Sequence, residues 1–370
     1  MGFLDDRTNR IAVKSTYRNL KQYEGSIDFF SNDYLGIAQS SHVVNGLRNY
    51  FANEQARLGA TGSRLISGNN KAHEVLEEEL AEFYGSEAAL LFPSGYQANV
   101  GVIASLCQRN DMILFDEKVH ASTRDGIRLS MARSFGFAHN NLEELESQLI
   151  KYNAIEGQVF VLIESLYSMD GDFAELQQVV ELARRFGAHI VLDEAHSVGV
   201  LGEGGRGLAQ LHCVEDEVLL RLITFGKAYG QSGAAVLGSN ALKAYLVNAC
   251  RSFIYTTGIP GYQVEAIRLA HQVLAQANRE RMALGEIIDY FRSKKLELNL
   301  LGMSNPGPIQ SIRVKDSEQL QLLADKINQE GINVKAIFPP TVQKGEECIR
   351  ICLHAFNTKE EVDRLFAVSC

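Results

Sequence analysis

The sequence of 370 residues contains no tryptophan, only 6 prolines and only 6 cysteines. No two cysteines are spaced as C-x-x-C, so the sequence does not indicate a disulfide framework or a zinc ribbon. Cys348 and Cys352 lie in an apolar run without histidines at zinc-site spacing. We therefore interpret them as buried thiols.

Long hydrophobic runs are also missing from the sequence. No stretch approaches the ~20 apolar residues that a membrane span requires, so no membrane partner is expected. The first ten residues, MGFLDDRTNR, carry charges where a signal peptide would be apolar. These features predict a soluble, cytoplasmic protein.

The sequence has fewer basic than acidic residues: 36 Lys and Arg against 45 Asp and Glu, which gives a formal net charge of −9. Proteins that bind nucleic acids neutralise many phosphates with Lys and Arg, so no nucleic-acid partner is expected. A content of 46% hydrophobic and 22% charged residues is that of a folded globular chain. The length predicts two domains, or one large domain with a smaller one appended.

Short apolar runs alternate with longer amphipathic runs through the middle of the chain. The amphipathic runs 142–150 and 176–187 have apolar residues spaced near 3.6, and Gly187 is a suitable helix end. This order predicts an α/β fold with a mostly parallel sheet and helices on both of its faces. The predicted buried strands are 89–95, 111–117, 158–165, 189–196 and 219–226.

The pattern changes near residue 262. A long helical stretch over 262–293 is followed by short apolar runs around one further helical run, which predicts a smaller α+β domain with an antiparallel sheet. The predicted division is an N-terminal segment (1–45), a large domain (46–260) and a C-terminal α+β domain (261–370).

Polar residues follow the predicted strands at the point where each strand ends. In open α/β sheets, chemistry collects at the carboxyl ends of the strands. Five strand ends that each supply a polar group therefore predict a functional site along one edge of the sheet. The polar residues at these ends are Ser94 and Gly95, His120, Glu164, Asp193 and His196, and Thr224 to Lys227.

Three further motif matches point to other classes of protein. The segment VLDEAH resembles the acidic strand end of a helicase motor, but no phosphate loop G-x-x-x-x-G-K-[ST] accompanies it. The glycines of 202–207 satisfy the dinucleotide pattern G-x-G-x-x-G, but a polar turn separates them from the predicted strand, which favours a plain glycine-rich loop. His189, Asp193 and His196 could be imagined as metal ligands. Because His189 and Asp193 are four residues apart along a strand, no metal site is expected.

With those three motif matches set aside, an aspartate at one strand end and a lysine at the next are the remaining candidates for a functional site. In TFGKAYG, Gly226 and Ala228 leave room for a cofactor, so Lys227 is a candidate Schiff-base lysine; taken alone, it could equally be a solvated surface lysine. A carboxylate such as Asp193 against a pyridine nitrogen keeps that ring protonated, as in pyridoxal 5'-phosphate chemistry. The FPSGYQAN turn supplies N–H groups at a helix N-terminus as a phosphate seat, and Thr224 is spaced to add a hydroxyl.

The ordered motifs resemble those of the α-oxoamine synthase family, fold-type I pyridoxal-phosphate enzymes that join an amino acid to an acyl thioester with loss of carbon dioxide. The GKA-x-G-x-x-GAAVLG segment is most similar to the family members of the biotin pathway. The resemblance implies pyridoxal 5'-phosphate as cofactor and a homodimer with its active site at the subunit interface. It runs nearly end to end, through FSNDYLG, GATGSRLISGNNKAHEVLEEELAEFYG, FPSGYQANVG, SMDGDFAEL, VLDEAHSVGVLGEGGRG, TFGKAYGQSGAAVLG, AIFPPTV and CIRI.

The resemblance also implies a role for individual residues. Lys227 matches the Schiff-base lysine, Asp193 the partner of the pyridine nitrogen, and His196 the residue hydrogen-bonded to the phenolic oxygen of the cofactor. His120 matches the imidazole that stacks on the pyridine ring. The other matches in the cofactor site are Gly95 and Tyr96 (phosphate contacts), Ser168 and Thr224 (hydroxyls), and Asn32 and Glu164 (polar lining).

For the substrates, Arg350 matches the arginine that grips the amino-acid carboxylate, while Thr341 and Arg18 match substrate contacts. The expected reaction condenses L-alanine with a pimeloyl thioester of coenzyme A or of an acyl carrier protein. Phe338 stands just before Pro-Pro-Thr, where the resemblance leads us to expect a basic residue. Three alternatives stay open: another substrate pair, such as glycine with acetyl-CoA or serine with a long-chain acyl-CoA; an aminotransferase of the same fold; and a non-enzymatic protein that retains a cofactor pocket.

Overall fold

The computed structural model describes residues 2–12, 20, 22, 25–53, 56–298, 300–302, 305–314, 316–339 and 341–369. The chain divides into two compact units. The larger unit comprises Asn32–Ser168 and Asp172–Met282. The smaller unit falls within Met1–Ser31, Met169–Gly171 and Ala283–Cys370.

The helices and strands are numbered here in chain order. The α-helices are α1 (Gly2–Ala12), α2 (Ser41–Phe51), α3 (Lys71–Tyr84), α4 (Gly95–Leu106), α5 (Ala121–Leu129), α6 (Leu142–Tyr152), α7 (Leu176–Phe186), α8 (Leu208–Leu211), α9 (Asn240–Ala249), α10 (Arg251–Ile254), α11 (Gly261–Gln276), α12 (Asn278–Glu297), α13 (Ser317–Gln329) and α14 (Lys359–Ser369). The strands are β1 (Ile27–Asp28), β2 (Ala88–Phe92), β3 (Met112–Asp116), β4 (Arg133–Phe137), β5 (Val159–Glu164), β6 (His189–Asp193), β7 (Leu220–Thr224), β8 (Ala234–Gly238), β9 (Ile309–Ile312), β10 (Ile332–Asn333), β11 (Lys335–Ile337) and β12 (Cys348–Cys352). None of the described helices combines the length and the apolar character that crossing a membrane would require.

The larger unit is built on a sheet with the strand order β2-β8-β7-β6-β5-β3-β4 among the described residues. Strand β8 runs antiparallel to both of its neighbours, and the other pairs are parallel. All six residues of β5 are buried, because successive side chains point to opposite faces and both faces are covered. The prediction of a mostly parallel sheet is confirmed.

Two hydrophobic clusters show how helices cover both faces of this sheet. On one face, Val161 and Ile163 of β5 pack in a cluster with residues of α6 and α7. On the other, Phe160 and Leu162 pack in a cluster with residues of α4, α5 and α9. Helix α7 ends as predicted, since Gly187 adopts the left-handed conformation with φ 65° that a side chain would disfavour.

The structure adds elements that the apolar pattern did not predict. Strand β8 lies between β2 and β7, and β4 forms the edge of the sheet with four of its five residues exposed. The stretch 262–293, predicted as one long helix, is two helices that meet at Ala277. Helix α11 follows the predicted domain boundary at residue 260, yet its residues fall in the larger unit.

The smaller unit contains a three-stranded antiparallel sheet in the order β11-β12-β9. Arg350 on the central strand pairs with Ser311 on one side and with Lys335 on the other. Strands β1 and β10 form a short parallel pair. The α+β character predicted for the C-terminal part is confirmed.

One acidic motif residue serves the fold of the larger unit rather than a binding site. Glu194 of VLDEAH is fully buried, and its Oε2 accepts a hydrogen bond of 2.6 Å from Nε of Arg221. The Arg221 guanidinium also donates to the backbone carbonyls of Tyr84 and Arg206. The pair thereby joins β6, β7 and the glycine-rich loop 202–207. A Cβ on Gly207 would lie 2.4 Å from Oε1 of Glu194, which is why this loop needs glycine there.

A second, partly buried ionic cluster centres on His139. Its Nδ1 lies 3.0 Å from both carboxylate oxygens of Asp116, and its Nε2 lies 2.7 Å from Oδ2 of Asp172. Burial opposes the charged imidazolium, but these two carboxylates more than offset it and raise the pKa of His139 to about 9. His139 is therefore a cation at neutral pH.

Candidate active site

The carboxyl ends of three neighbouring strands supply the polar floor of one pocket in the larger unit. Glu164 ends β5 and pairs in register with Asp193, which ends β6, and Asp193 pairs with Leu222 of β7. Thr224 ends β7. The cavity above these residues has a volume of about 180 Å³. Its described lining is Gly95, Tyr96, Asn99, His120, Ser122, Glu164, Ser168, Asp193, Ala195, His196, Leu222, Thr224 and Lys227.

The N-terminus of α4 opens into this pocket beside Thr224. The Ser94 side chain caps the helix by accepting from the Gln97 N–H at 3.2 Å. The first N–H groups of a helix have no partner within the helix, so those of Gly95 and Tyr96 are suited to a phosphate. A Cβ on Gly95 would lie 3.4 Å from Oγ1 of Thr224, so the helix N-terminus and this hydroxyl are in contact distance. The residues of the predicted phosphate seat thus line one pocket.

Asp193 is a buried carboxylate whose oxygens face hydrogen-bond donors. Its Oδ2 accepts from Nδ2 of Asn99 at 2.8 Å, and its Oδ1 accepts from the Ala195 N–H at 2.9 Å. Burial raises the pKa of Asp193, although both donors and the charges of His120 and Lys227 act to lower it. A cationic ring nitrogen placed beside this carboxylate would compensate for its lost hydration.

Glu164 is the neighbouring carboxyl, and its environment differs. It accepts a hydrogen bond from the His120 N–H. Burial, and after it the charge of Asp193, holds the pKa of Glu164 well above its usual range. Two adjacent buried carboxyls cannot both ionise at low cost, so an ionised Asp193 disfavours ionisation of Glu164.

His196 is buried against an aromatic residue from a distant part of the chain. Its Nδ1 lies 2.6 Å from the hydroxyl of Tyr34, which lies 3.2 Å from Oδ1 of Asn32. These contacts fix the plane of the imidazole and leave Nε2 as its other polar atom. Asn32, predicted to line the site, contacts His196 through Tyr34 rather than lining the cavity itself.

His120 caps the N-terminus of α5. Its Nδ1 accepts from the Ser122 N–H at 3.2 Å and lies 2.7 Å from the Ser122 hydroxyl. A backbone N–H can only donate, so Nδ1 carries a lone pair and the ring proton lies on Nε2. The ring is thereby held in one tautomer at the pocket.

Lys227 lies on the tight connection between β7 and β8. The Lys227 carbonyl accepts from the Gly230 N–H at 2.8 Å, and the Phe225 N–H donates to the Gly233 carbonyl at 2.9 Å. Gly230 has φ 62°, and a Cβ there would lie 2.3 Å from the Ala38 nitrogen. The backbone that carries Lys227 is therefore closely constrained.

The connection is also anchored by the buried residue Tyr229. Its hydroxyl lies 2.9 Å from the hydroxyl of Tyr84 and 2.9 Å from Nδ1 of His271. Burial lowers the pKa of His271 to about 4, so this ring is neutral and hydrogen-bonds without bringing a charge near the lysine.

The structure brings together nine of the predicted site residues and does so within one unit. Arg350 and Thr341 belong to the smaller unit, where Nη1 of Arg350 donates to Sγ of Cys352 at 2.8 Å. Arg18 lies outside the described residues. The nine that line the pocket are Lys227, Asp193, His120, His196, Gly95, Tyr96, Ser168, Thr224 and Glu164.

Sequence reasoning missed three side chains that organise this pocket. Asn99 and Ser122 line the cavity, and Tyr34 is completely buried against His196. Asn99 lies three residues after Tyr96, a spacing that puts both on one side of a helix. That spacing was the one available signal for Asn99.

The donor set fits pyridoxal 5'-phosphate. A helix N-terminus and a hydroxyl suit its phosphate, Asp193 suits its ring nitrogen, His196 suits its phenolic oxygen, and Lys227 suits its aldehyde. The glycine-rich loop 202–207 is absent from the lining of this cavity among the described residues. The fold and the pocket thus define a fold-type I transferase that depends on pyridoxal phosphate.

Comparison with known proteins agrees with this class. A family model for aminotransferase class I and II matches residues 24–368. The chain is 34% identical to the 8-amino-7-oxononanoate synthase 2 of Bacillus subtilis (strain 168), over 98% of this chain and 95% of that protein. The chain belongs to the aminotransferase class I and II family and, within it, to the α-oxoamine synthases, whose cofactor is pyridoxal 5'-phosphate.

Two solved structures with this fold carry different names. The serine palmitoyltransferase of Sphingomonas wittichii is 27% identical, with a TM-score of 0.90 over 100% of this chain and 95% of that one. The 8-amino-7-oxononanoate synthase of Francisella tularensis is 28% identical, with a TM-score of 0.79 over 93% of this chain and 96% of that one. Both are similar to this chain through the whole fold.

Proposed function

We propose that the chain catalyses the decarboxylative condensation of L-alanine with a pimeloyl thioester, the reaction of an 8-amino-7-oxononanoate synthase in biotin biosynthesis. One observation carries the proposal. Lys227, Asp193 and His196 converge on one pocket of a chain that is 34% identical to such an enzyme over nearly its whole length.

The pocket residues would hold the cofactor at four points. Pyridoxal 5'-phosphate, when bound, supplies an electron sink for the negative charge that develops at the α-carbon of the amino acid. The α4 N-terminus and Thr224 would bind the phosphate, and Nζ of Lys227 would hold the aldehyde carbon. Asp193 would hold a proton on the ring nitrogen, and His196 would bind the phenolic oxygen.

We assign the transfer of the α-proton to Nζ of Lys227. Because the backbone that carries Lys227 is constrained, its amine would reach only a limited volume of the pocket, where it would accept the α-proton. His120, whose ring is oriented by its contacts with Ser122, would cover one side of the reacting centre. The raised pKa of Glu164 beside Asp193 disfavours a second negative charge that would oppose the developing one.

We assign the amino-acid carboxylate to Arg350. Its planar guanidinium offers two parallel donors, which match the two oxygens of a carboxylate. Thr341 and Arg18 are assigned to further substrate contacts. Phe338 brings no charge, so the distal carboxylate of a pimeloyl chain must find another cation, such as Lys335, or remain in water.

Product analysis tests the proposed reaction. Purified protein loaded with the cofactor is given a panel of amino acids and acyl thioesters, and the products are identified by mass spectrometry. We expect 8-amino-7-oxononanoate from L-alanine with pimeloyl-CoA or a pimeloyl carrier protein, no product with Lys227→Ala, and normal product with Lys71→Ala, whose lysine is exposed on α3. A preference for an uncharged acyl-CoA of similar length would contradict the biotin-pathway assignment.

The backbone comparison favours a second candidate, the condensation of serine with a long-chain acyl-CoA. The TM-score with the serine palmitoyltransferase, 0.90, exceeds that with the Francisella 8-amino-7-oxononanoate synthase, 0.79. Backbone similarity measures the shared fold, whereas the choice of acyl chain depends on side chains. The curated relative at 34% identity therefore carries more weight, and the same product panel separates the two reactions.

We also propose that the enzyme acts as a homodimer in the cytoplasm. Leu58, Ile66 and Tyr255 in the larger unit are more than two-thirds exposed, and a second copy of the chain would cover them in this dimer. Light scattering should give twice the mass of the 41.0 kDa chain. Ile66→Glu should lower that mass, and a monomeric wild-type enzyme would contradict the dimer. Fractionation of the source cells should recover the protein with cytoplasmic enzymes.

A further inference from the structure

A buried amide links two elements of the pocket. Nδ2 of Asn99 on α4 lies 2.8 Å from Oδ2 of Asp193 and 3.1 Å from Oγ of Ser122 on α5. Asn99 is 4% exposed and Ser122 is 1% exposed, so bulk water does not compete for these bonds. One amide nitrogen has two hydrogens, which suffices for both contacts.

The direction of these bonds follows from one backbone group. The Ser122 N–H must donate to Nδ1 of His120, so that nitrogen has a lone pair and the Ser122 hydroxyl also donates to it. With its hydrogen committed, the Ser122 oxygen can only accept from Asn99. The nitrogen of Asn99, rather than its oxygen, is thereby fixed on the side that faces Asp193.

Close packing of α4 and α5 makes the contact possible. A Cβ on Gly126 of α5 would lie 3.0 Å from the Asn99 carbonyl oxygen and 3.0 Å from Cβ of Ile103. Such distances are tighter than nearly all real Cβ contacts, so the glycine allows the two helices to approach. Ser122 lies one turn earlier on the same helix.

We propose that Asn99 is a positioning residue that keeps the Asp193 carboxylate in its ionised form, and that Ser122 fixes the Asn99 amide in the orientation this requires. The inference rests on the proposed function, because its consequence concerns the ring nitrogen that Asp193 would bind. A carboxylate and a ring nitrogen share one proton. A donor aimed at the carboxylate makes it less basic, so the proton stays on the ring.

Several titratable groups face Asp193 from the surrounding elements. Glu164 on β5 is a neighbouring acid, while the charges of His120 at the start of α5 and of Lys227 after β7 act to lower the pKa of Asp193. His196 lines the same pocket. The Asn99 amide is the side-chain donor that contacts an oxygen of Asp193 without a charge of its own, so its effect can be separated from theirs.

The first test uses the protein without cofactor. The carboxyl carbons of Asp193 and Glu164 are followed by NMR through a pH titration in protein labelled at aspartate and glutamate, with Asp193→Asn for assignment. In Asn99→Leu, we expect the ionisation constant of Asp193 to fall about tenfold or more, the effect of losing one hydrogen bond to a charged group. Asn99→Ala should give the same direction, and it serves if the leucine variant does not fold.

Two serine variants separate positioning from general disturbance. Ser122→Ala should lower the Asp193 ionisation constant by a smaller factor, because the amide is then free to turn. Ser105, a buried serine on the same helix as Asn99, donates to the Val102 carbonyl, and Ser105→Ala should leave the Asp193 ionisation constant unchanged. An Asp193 titration like that of the wild type in both Asn99 variants, or an equal shift in Ser105→Ala, would overturn the proposal. No shift in Ser122→Ala would remove Ser122 from it.

The second test asks where the proton lies in the loaded protein. With cofactor labelled by nitrogen-15 in its ring, the nitrogen NMR signal should report a protonated ring in the wild type and a larger neutral fraction in Asn99→Ala. An unchanged signal contradicts the inference. If the wild type binds no cofactor, the proposed function fails, while the titration without cofactor still decides the role of Asn99.

Discussion

Replacing Asp193 with asparagine removes one buried negative charge while keeping the shape of the side chain. The carboxylate accepts from Asn99 on one oxygen and from the Ala195 N–H on the other. Asparagine has a single oxygen, so one of these two donors loses its acceptor. A buried donor without a partner costs about 1 to 3 kcal/mol, which should lower the free energy of unfolding without abolishing the fold.

The effect on catalysis should be larger than the effect on stability. A neutral partner cannot hold a proton on the ring nitrogen, so charge developing at the α-carbon loses its main stabilisation. The loss of one preorganised electrostatic partner is typically worth about 3 to 4 kcal/mol, or two to three powers of ten in turnover. We expect at least this decrease in Asp193→Asn with the cofactor still bound.

The assay compares turnover at saturating L-alanine and pimeloyl-CoA, with cofactor content measured by absorbance. Asp216→Asn is the matched control, because Asp216 is exposed on a turn outside the described lining of the pocket. Turnover of Asp193→Asn within a few-fold of the wild type would refute the role of this carboxylate in the reaction.

Three further predictions concern stability and substrate binding. The pKa of His139 is about 9 in the folded state and 6.5 ordinarily, so its contribution of about 3 kcal/mol to the free energy of unfolding is present below pH 6.5 and lost as the pH rises through 9. In urea unfolding, His139→Gln should therefore be less stable than the wild type at pH 6 and much closer to it at pH 10. A loss of stability that is independent of pH would contradict this prediction. Arg221→Met leaves Glu194 buried without its cation, so the free energy of unfolding in urea should fall by about 3 to 5 kcal/mol. Adding Glu194→Gln should recover part of this loss, and equal stabilities of the single and double variants would contradict the ion-pair account. Arg350→Ala should mainly raise the KM for the amino acid, with a smaller effect on kcat; an unchanged KM in steady-state kinetics would remove Arg350 from the carboxylate site.

The sheet and the pocket could be predicted where the sequence has strong local patterns. All five predicted strands exist, because strands buried on both faces are continuous apolar runs, here ending in polar residues. Lys227, Asp193 and His196 stand just after such runs, and the parallel order of the strands brings them to one edge. The positions of these three residues thus follow from topology without any knowledge of contacts.

Strand β8 was missed because its apolar run, AAVLG, is short and made mostly of small residues. Its antiparallel direction also breaks the alternation of strand and helix on which the prediction relied. The strand is held by pairing with β2 and β7 on both sides, a tertiary effect that a local pattern does not contain.

The supporting side chains were missed for a related reason. Tyr34 and His196 are 162 residues apart in the chain, and Asn99 and Asp193 are 94 apart. Their contacts depend on how helices and loops pack against the sheet. A lone asparagine inside a helix gives no signal of a partner so distant in sequence. Arg18, Thr341 and Arg350 remain predictions from resemblance.

The central claim is that Lys227 holds pyridoxal 5'-phosphate in the pocket at the carboxyl ends of β5, β6 and β7. Borohydride reduction of the loaded protein, followed by proteolysis and mass spectrometry of the peptides, tests it most directly. The account predicts a yellow protein and a single reduced cofactor adduct on Lys227. An adduct on another lysine, or a protein that binds no cofactor, would contradict the account.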